Sequence, residues 1–121
     1  MSLLTPSQRA RLLENGKPHN RSKDHFPVVK LFLPGTGCTW LLTELEEDNI
    51  AFGLCDLGLG FPELGYVSLD ELQNLKSRLG LSVERDIYFR AEYPLSIYRR
   101  AADDAQHITD NCRLLMNASL G

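Results

Sequence analysis

A chain of 121 residues with 43% hydrophobic and 24% charged residues has the size of one domain and ordinary globular proportions. That excludes a disordered or fibrous chain and leaves enough surface to bury for one core without staples. The net charge of −3 is unevenly spread: residues 1–30 carry +4, residues 31–71 carry eight acidic residues and no basic one, and residues 72–121 carry +1. Such a distribution steers a charged partner or marks the solvated faces of a hairpin and a loop.

The three cysteines, Cys38, Cys55 and Cys112, are odd in number and lack C-x-x-C spacing. They speak against a disulfide framework or a zinc site and suit a reducing compartment. No apolar run approaches the ~18 residues of a membrane span, and the stretch from Met1 to Pro6 has neither the basic nor the apolar region of a signal peptide. A cytoplasmic protein without membrane contact is expected.

Thr5-Pro6-Ser7-Gln8 is a capping box with proline at the first helical position, and Gly16 after Asn15 ends the helix it opens. Ala10, Leu12 and Leu13 give that helix its apolar side. Residues 17–26 are polar and aperiodic, a loop. Residues 28–33 read as a strand, Pro34-Gly35-Thr36-Gly37 breaks it, and residues 39–45 form the next. Glu46-Glu47-Asp48-Asn49 is a charged turn into a third strand over residues 50–55, and the short turns favour an antiparallel meander. In that third strand Ile50, Phe52 and Leu54 share one face while Ala51, Gly53 and Cys55 share the other. The small face lets a neighbour pack unusually close.

A short strand follows at residues 64–67. Ser68-Leu69-Asp70-Glu71 then opens a helix with Leu72, Leu75 and Leu79 at helical spacing and Gly80 at its end. Val83, Ile87 and Phe89 alternate in a return to the sheet. Ser96 caps a last helix in which Ile97, Ala101, Ala105, Ile108, Cys112 and Leu115 step by 4, 4, 3, 4 and 3. The expected core is Trp40, Phe52, Leu54, Leu72, Leu75, Ile87 and Phe89. The expected fold is α+β: an antiparallel sheet of four or five strands, helices packed mainly on one face, and a long C-terminal helix. Residues 1–98 form the body and residues 99–121 a helical extension of the same domain.

Few residues suggest chemistry. The run from Gly53 to Gly60 is glycine-rich but lacks the G-x-x-x-x-G-K-[ST] pattern and any nearby base, so its glycines read as bends and bulges. Glu44, Asp56 and Glu63 are three carboxylates without a basic neighbour. They could hold a hard cation or form an acid/base pair, or equally be polar surface and turn caps. Cys55 as a nucleophile needs a base, and His19, His25 and His107 are not placed to supply one. Arg85 shares a side with Val83 and Ile87 and is either structurally paired or a ligand-binding arginine. Arg9, Arg11, Lys17, Arg21 and Lys23 form a basic segment able to meet a phosphate backbone, although no nucleic-acid recognition motif accompanies it. Glu46, Glu47 and Asp48 in the charged turn, and Ile108, Cys112 and Leu115 on the last helix, are candidate interaction surfaces. The second of these could serve a homodimer or another chain. No catalytic residue, metal ligand or cofactor site is assigned.

The strings Leu3-Leu4-Thr5, Val28-Val29-Lys30-Leu31-Phe32, Thr39-Trp40-Leu41-Leu42-Thr43-Glu44 and Ile50-Ala51-Phe52-Gly53-Leu54 occur in order. Glu63-Leu64-Gly65-Tyr66-Val67-Ser68-Leu69, Val83-Glu84-Arg85-Asp86-Ile87-Tyr88-Phe89 and Pro94-Leu95-Ser96-Ile97-Tyr98 follow. Over about residues 3–98 the series resembles a bacterial domain-of-unknown-function family of small proteins, often encoded on plasmids, integrative elements and phages. The resemblance implies no activity and no catalytic residues. It implies roles in element maintenance, regulation or evasion of host defence, inhibition of a CRISPR–Cas complex included. Residues 99–121 depart from the family pattern. The expected function is therefore a non-catalytic interaction module that regulates or inhibits a macromolecular partner, most simply a protein. The alternatives are a small metal-dependent enzyme using Glu44, Asp56 and Glu63, and a nucleic-acid-binding protein using the basic N-terminal segment.

Overall fold

A computed structural model of the chain describes residues 2–121. Thr5 opens α1 (Pro6–Asn15) as a reciprocal cap: its hydroxyl accepts from the Gln8 N–H at 3.1 Å, and the Gln8 side chain accepts from the Thr5 N–H at 3.0 Å. Five strands then form one sheet: β1 (Val29–Phe32), β2 (Cys38–Leu45), β3 (Ile50–Leu57), β4 (Glu63–Ser68) and β5 (Glu84–Arg85). Their order is β4-β3-β2-β1-β5, with every pairing antiparallel. Three further helices complete the chain: α2 (Leu69–Asn74), α3 (Leu95–Ala105) and α4 (Cys112–Leu120).

The β2–β3 register shifts between Leu42 and Glu44, so Thr43 is an extra residue in β2. Its polar groups are satisfied: its hydroxyl donates to the Phe52 carbonyl at 3.3 Å, and its own carbonyl accepts from the Asn15 side chain at 2.9 Å. Because of the bulge, Leu42 and Leu45 face the same side, opposite Gly53 and Ala51. A Cβ built on Gly53 would run into the Leu41 carbonyl and lie 2.8 Å from the Leu42 Cα. The small face of β3 thus accommodates the bulged backbone of its own neighbouring strand, more than any helix.

Alternation divides the apolar residues into two cores. Leu12, Val29, Leu31, Trp40, Leu42, Ala51, Leu69 and Leu72 fill the side covered by α1 and α2. Leu41, Leu54, Leu95, Tyr98, Ala101, Ala102, Leu115 and Ala118 fill the side covered by α3 and α4. The α+β class and the five-stranded antiparallel sheet agree with the sequence reading, but helices cover both faces of the sheet instead of mainly one.

The long C-terminal helix is also absent. Gln106 takes a left-handed conformation at φ 65° and ends α3, while Asn111 restarts the chain as α4 by accepting from the Arg113 and Leu114 N–H groups. α4 packs on α3, where the Arg100 side chain donates to the Ala118 carbonyl at 2.8 Å, so Leu115 still faces inward while Cys112 is left exposed. Ser96 does not cap α3 as expected. Its N–H and hydroxyl both donate to Asp24 in the loop between α1 and β1, and the Leu95 N–H donates to the His25 carbonyl at 2.9 Å.

Two core expectations fail for local reasons. The second helix stops at Asn74, because Ser77 accepts from the Leu79 and Leu81 N–H groups and closes a turn with Gly80. Leu75 is thereby left 38% exposed. The return strand is only two residues long, so Ile87 falls in a turn and is 63% exposed. Phe52 and Phe89 are half-buried, while Trp40, Leu54 and Leu72 are buried as expected.

The two glycines paired across β3 and β4 make a direct test. Gly53→Ala should lose about 1–3 kcal/mol or more in urea unfolding, as overpacking against backbone does. Gly65→Ala, where an added Cβ meets nothing within 4 Å, should leave stability within about 0.5 kcal/mol.

Candidate functional site

The three nominated carboxylates do not converge. Asp56 is buried and committed to structure: one oxygen accepts from the Gly58 N–H at 2.8 Å, the other from the Ile108 N–H at 2.9 Å. It ties the end of β3 to the connection between α3 and α4. Glu44 lies opposite Phe52, four residues from Asp56 along β3, or about 13 Å at the rise of a strand. Glu63 lies opposite Cys55, on the other face of the sheet from Asp56. Among the described residues no group of three or more His, Cys, Asp or Glu side chains could hold a metal ion. Burial holds the Glu44 carboxyl above its ordinary range, opposed by the positive charges of His25 and Arg21. Burial pushes the Cys55 thiol up to about 11, the opposite of what a nucleophile needs. Arg85 is structurally paired, donating to the Leu3 carbonyl at 3.0 Å.

The basic residues scatter in direction. Arg9 donates to Asn49 at 2.9 Å, Lys17 pairs with Glu14 at 2.6 Å, and Lys23 donates to Asn20 at 3.0 Å. Arg11 lies instead in a cleft with Phe26 and Arg90. Arg21 reaches Glu46 at 3.8 Å. Glu46, Glu47 and Asp48 form the far wall of a groove of about 650 Å³ whose near wall is Leu13, Lys17 and Arg21. The nominated acidic turn and part of the basic segment therefore face each other. On the C-terminal side Leu115 is buried in its own core, Ile108 is half-buried, and Cys112 is exposed.

A group of exposed apolar side chains lies where the sequence reading saw only bends. Leu57, Leu59, Phe61 and Tyr66 are 58%, 73%, 77% and 70% exposed, with Leu64 beside them at 38%. They line the end of β3, the connection to β4, and β4 itself, around a shallow cleft of about 420 Å³. Tyr66 stands against Phe52 with ring centroids 5.1 Å apart, which fixes its ring upright at the strand. β4 ends the sheet, pairing with β3 on one side only. The signal was present in the alternation Leu57-Gly58-Leu59-Gly60-Phe61, where three large apolar side chains separate the glycines.

Two measurements test these assignments. In folded protein at pH 8 an alkylating reagent should modify exposed Cys112 promptly and Cys55 only on unfolding, as mass spectrometry of digested protein reads. For Glu44, a raised folded-state value means its proton is held more tightly in the native chain than in the unfolded one. Its contribution thus favours folding below the ordinary carboxyl range and is lost as pH rises through the raised value. Glu44→Gln should gain melting temperature relative to the parent between pH 4 and pH 8, and a constant difference would contradict this.

No helix of the described residues is long and apolar enough to cross a membrane. No curated protein and no solved structure matches the chain. The family model for proteins of unknown function DUF2958 matches residues 3–109, from the approach to α1 through β5 and α3 into the connection that Asp56 anchors. With most of its length matched, the chain belongs to the DUF2958 family of proteins of unknown function.

Proposed function

We propose that this chain is a non-catalytic binding module that docks on a protein partner through the β4 edge and thereby regulates or blocks it. One observation carries the reading: five exposed apolar side chains gather beside an unpaired strand edge. All five line one shallow cleft beside that edge. The largest exposed apolar patch on a small protein is often functional. The dispersed carboxylates and the unreactive Cys55 supply no comparable support for catalysis. The scattered basic side chains, two of them paired with acids, supply little for nucleic-acid binding.

The mobile-element residence implied by the family resemblance is in keeping with a regulator or inhibitor of a host component. A CRISPR–Cas complex or another defence nuclease would be such a component. The three free cysteines suit action in the cytoplasm.

The test is capture from a bacterial host by tagged protein, comparing the parent with a Phe61→Ser, Tyr66→Ser double variant. A control is Tyr88→Ser, at a side chain 86% exposed near the opposite edge. A partner retained by the parent and the control but reduced at least tenfold by the double variant is the expected result. Retention by all three would move the binding site elsewhere.

A further inference from the structure

We infer that the partner segment seated on the β4 edge is an extended strand bearing basic residues, which adds to the sheet as a sixth strand. This rests on the binding reading above and specifies its chemistry. β4 is six residues long, pairs with β3 in an unbroken register from Ile50↔Ser68 to Cys55↔Glu63, and has no strand on its other side. Natural edges are usually blunted by a lysine, a bulge or a proline within the strand. β4 contains none of these, since Pro62 precedes it and its one charged residue is Glu63. Its backbone is thus a usable template for strand addition.

The side chains define what can be added. Leu64 and Tyr66 share the face of Leu54 and Phe52, so an incoming apolar residue would pack beside them. On the opposite face Gly65 has open space above it, room for a large side chain from a neighbouring strand. Charge then selects the occupant. Glu63 stands at one end of β4 and Glu71 follows its other end, while Asp70 beside it accepts from the Asn49 side chain at 3.3 Å in a cleft that Arg9 also lines. Among the described residues none of the three enters an ion pair. No lysine or arginine occurs from Leu31 to Leu75.

A second copy paired antiparallel about Gly65 would set Leu64 against Tyr66 of the other copy, which is favourable. It would also bring the Glu63 end of each copy toward the Asp70 and Glu71 end of the other, which is not. A basic strand gains the apolar contacts and neutralises both ends.

Three fluorescein-labelled octapeptides test this on the full chain: one alternating Lys with Val, one alternating Glu with Val, and the Lys peptide N-methylated at two central positions. At low salt the Lys peptide should bind saturably and at least tenfold more tightly than the Glu peptide. It should slow amide exchange across residues 63–68 and weaken at least fivefold on Glu63→Lys. The N-methylated peptide should fail to bind. Equal affinities for the Lys and Glu peptides, or binding without protection of β4, would overturn the inference. So would a peptide-free dimer in sedimentation equilibrium with β4 amides protected, which makes a second copy the occupant. Capture that depends on Phe61 and Tyr66 but is indifferent to Glu63→Lys removes strand addition by a basic segment and leaves protein binding in place.

Discussion

The extra residue at Thr43 decides which side of the sheet the second half of β2 serves. Without it, strict alternation would send Leu45 to the same side as Leu41, under α3 and α4. With it, Leu45 joins Leu42 and Trp40 beneath α1, and Glu44 turns to the face of Phe52. The bulged backbone then crowds β3, and only a residue without a side chain fits at Gly53. The Asn15 side chain bonds the Thr43 carbonyl and Thr43 bonds the Phe52 carbonyl, so the irregularity is held from both α1 and β3 at no cost in unpaired polar groups. One inserted residue thereby links the seating of a helix, the glycine of a strand and the burial of a carboxyl.

Asp56 does comparable work on the other face. A buried carboxylate is expensive unless its oxygens are satisfied, and here each accepts a backbone N–H, one local and one from fifty-two residues away. That second bond fixes the connection between α3 and α4, which in turn lets α4 lie back along α3 instead of projecting from the body. One of the three carboxylates considered as metal ligands is thus engaged in holding the chain together.

The legible parts of the fold were those written in local chemistry. The Thr5–Gln8 capping box, the charged turn at residues 46–49 and the alternation of β3 each produced the element they announced. What escaped was set by contacts between distant residues. The helical steps from Ile97 to Leu115 are the same whether the helix continues or doubles back; the left-handed Gln106, the Asn111 cap and the bond from Ile108 to Asp56, fifty-two residues earlier, break it. Asp24 displaces Ser96 as the cap of α3 from seventy-two residues away. Leu75 and Ile87 were assigned to the core by spacing alone, whereas a serine-closed turn and a two-residue strand put them in solvent. The site was missed for a different reason. The apolar residues Leu57, Leu59 and Phe61 are legible in the sequence, but their place beside an open edge follows from the strand order, which among the described residues puts no strand beyond β4.

The sheet order also divides the chain by the reach of its contacts. β1 through β4 are joined by short connections and lie side by side in sequence order, so each pairing closes a small loop at little entropic cost. β5 must return to the far side of β1 after α2, and its Arg85 clasps the Leu3 carbonyl across eighty-two residues. Lys30 likewise meets Asp110 across eighty. The meander is therefore the part whose pairings close over the shortest stretches of chain, and β4 is its open edge. The β5 closure and the α3–α4 layer need contacts between residues more than fifty positions apart. A partner that recognises β4 would find its docking strand in the part of the sheet built from short-range pairings.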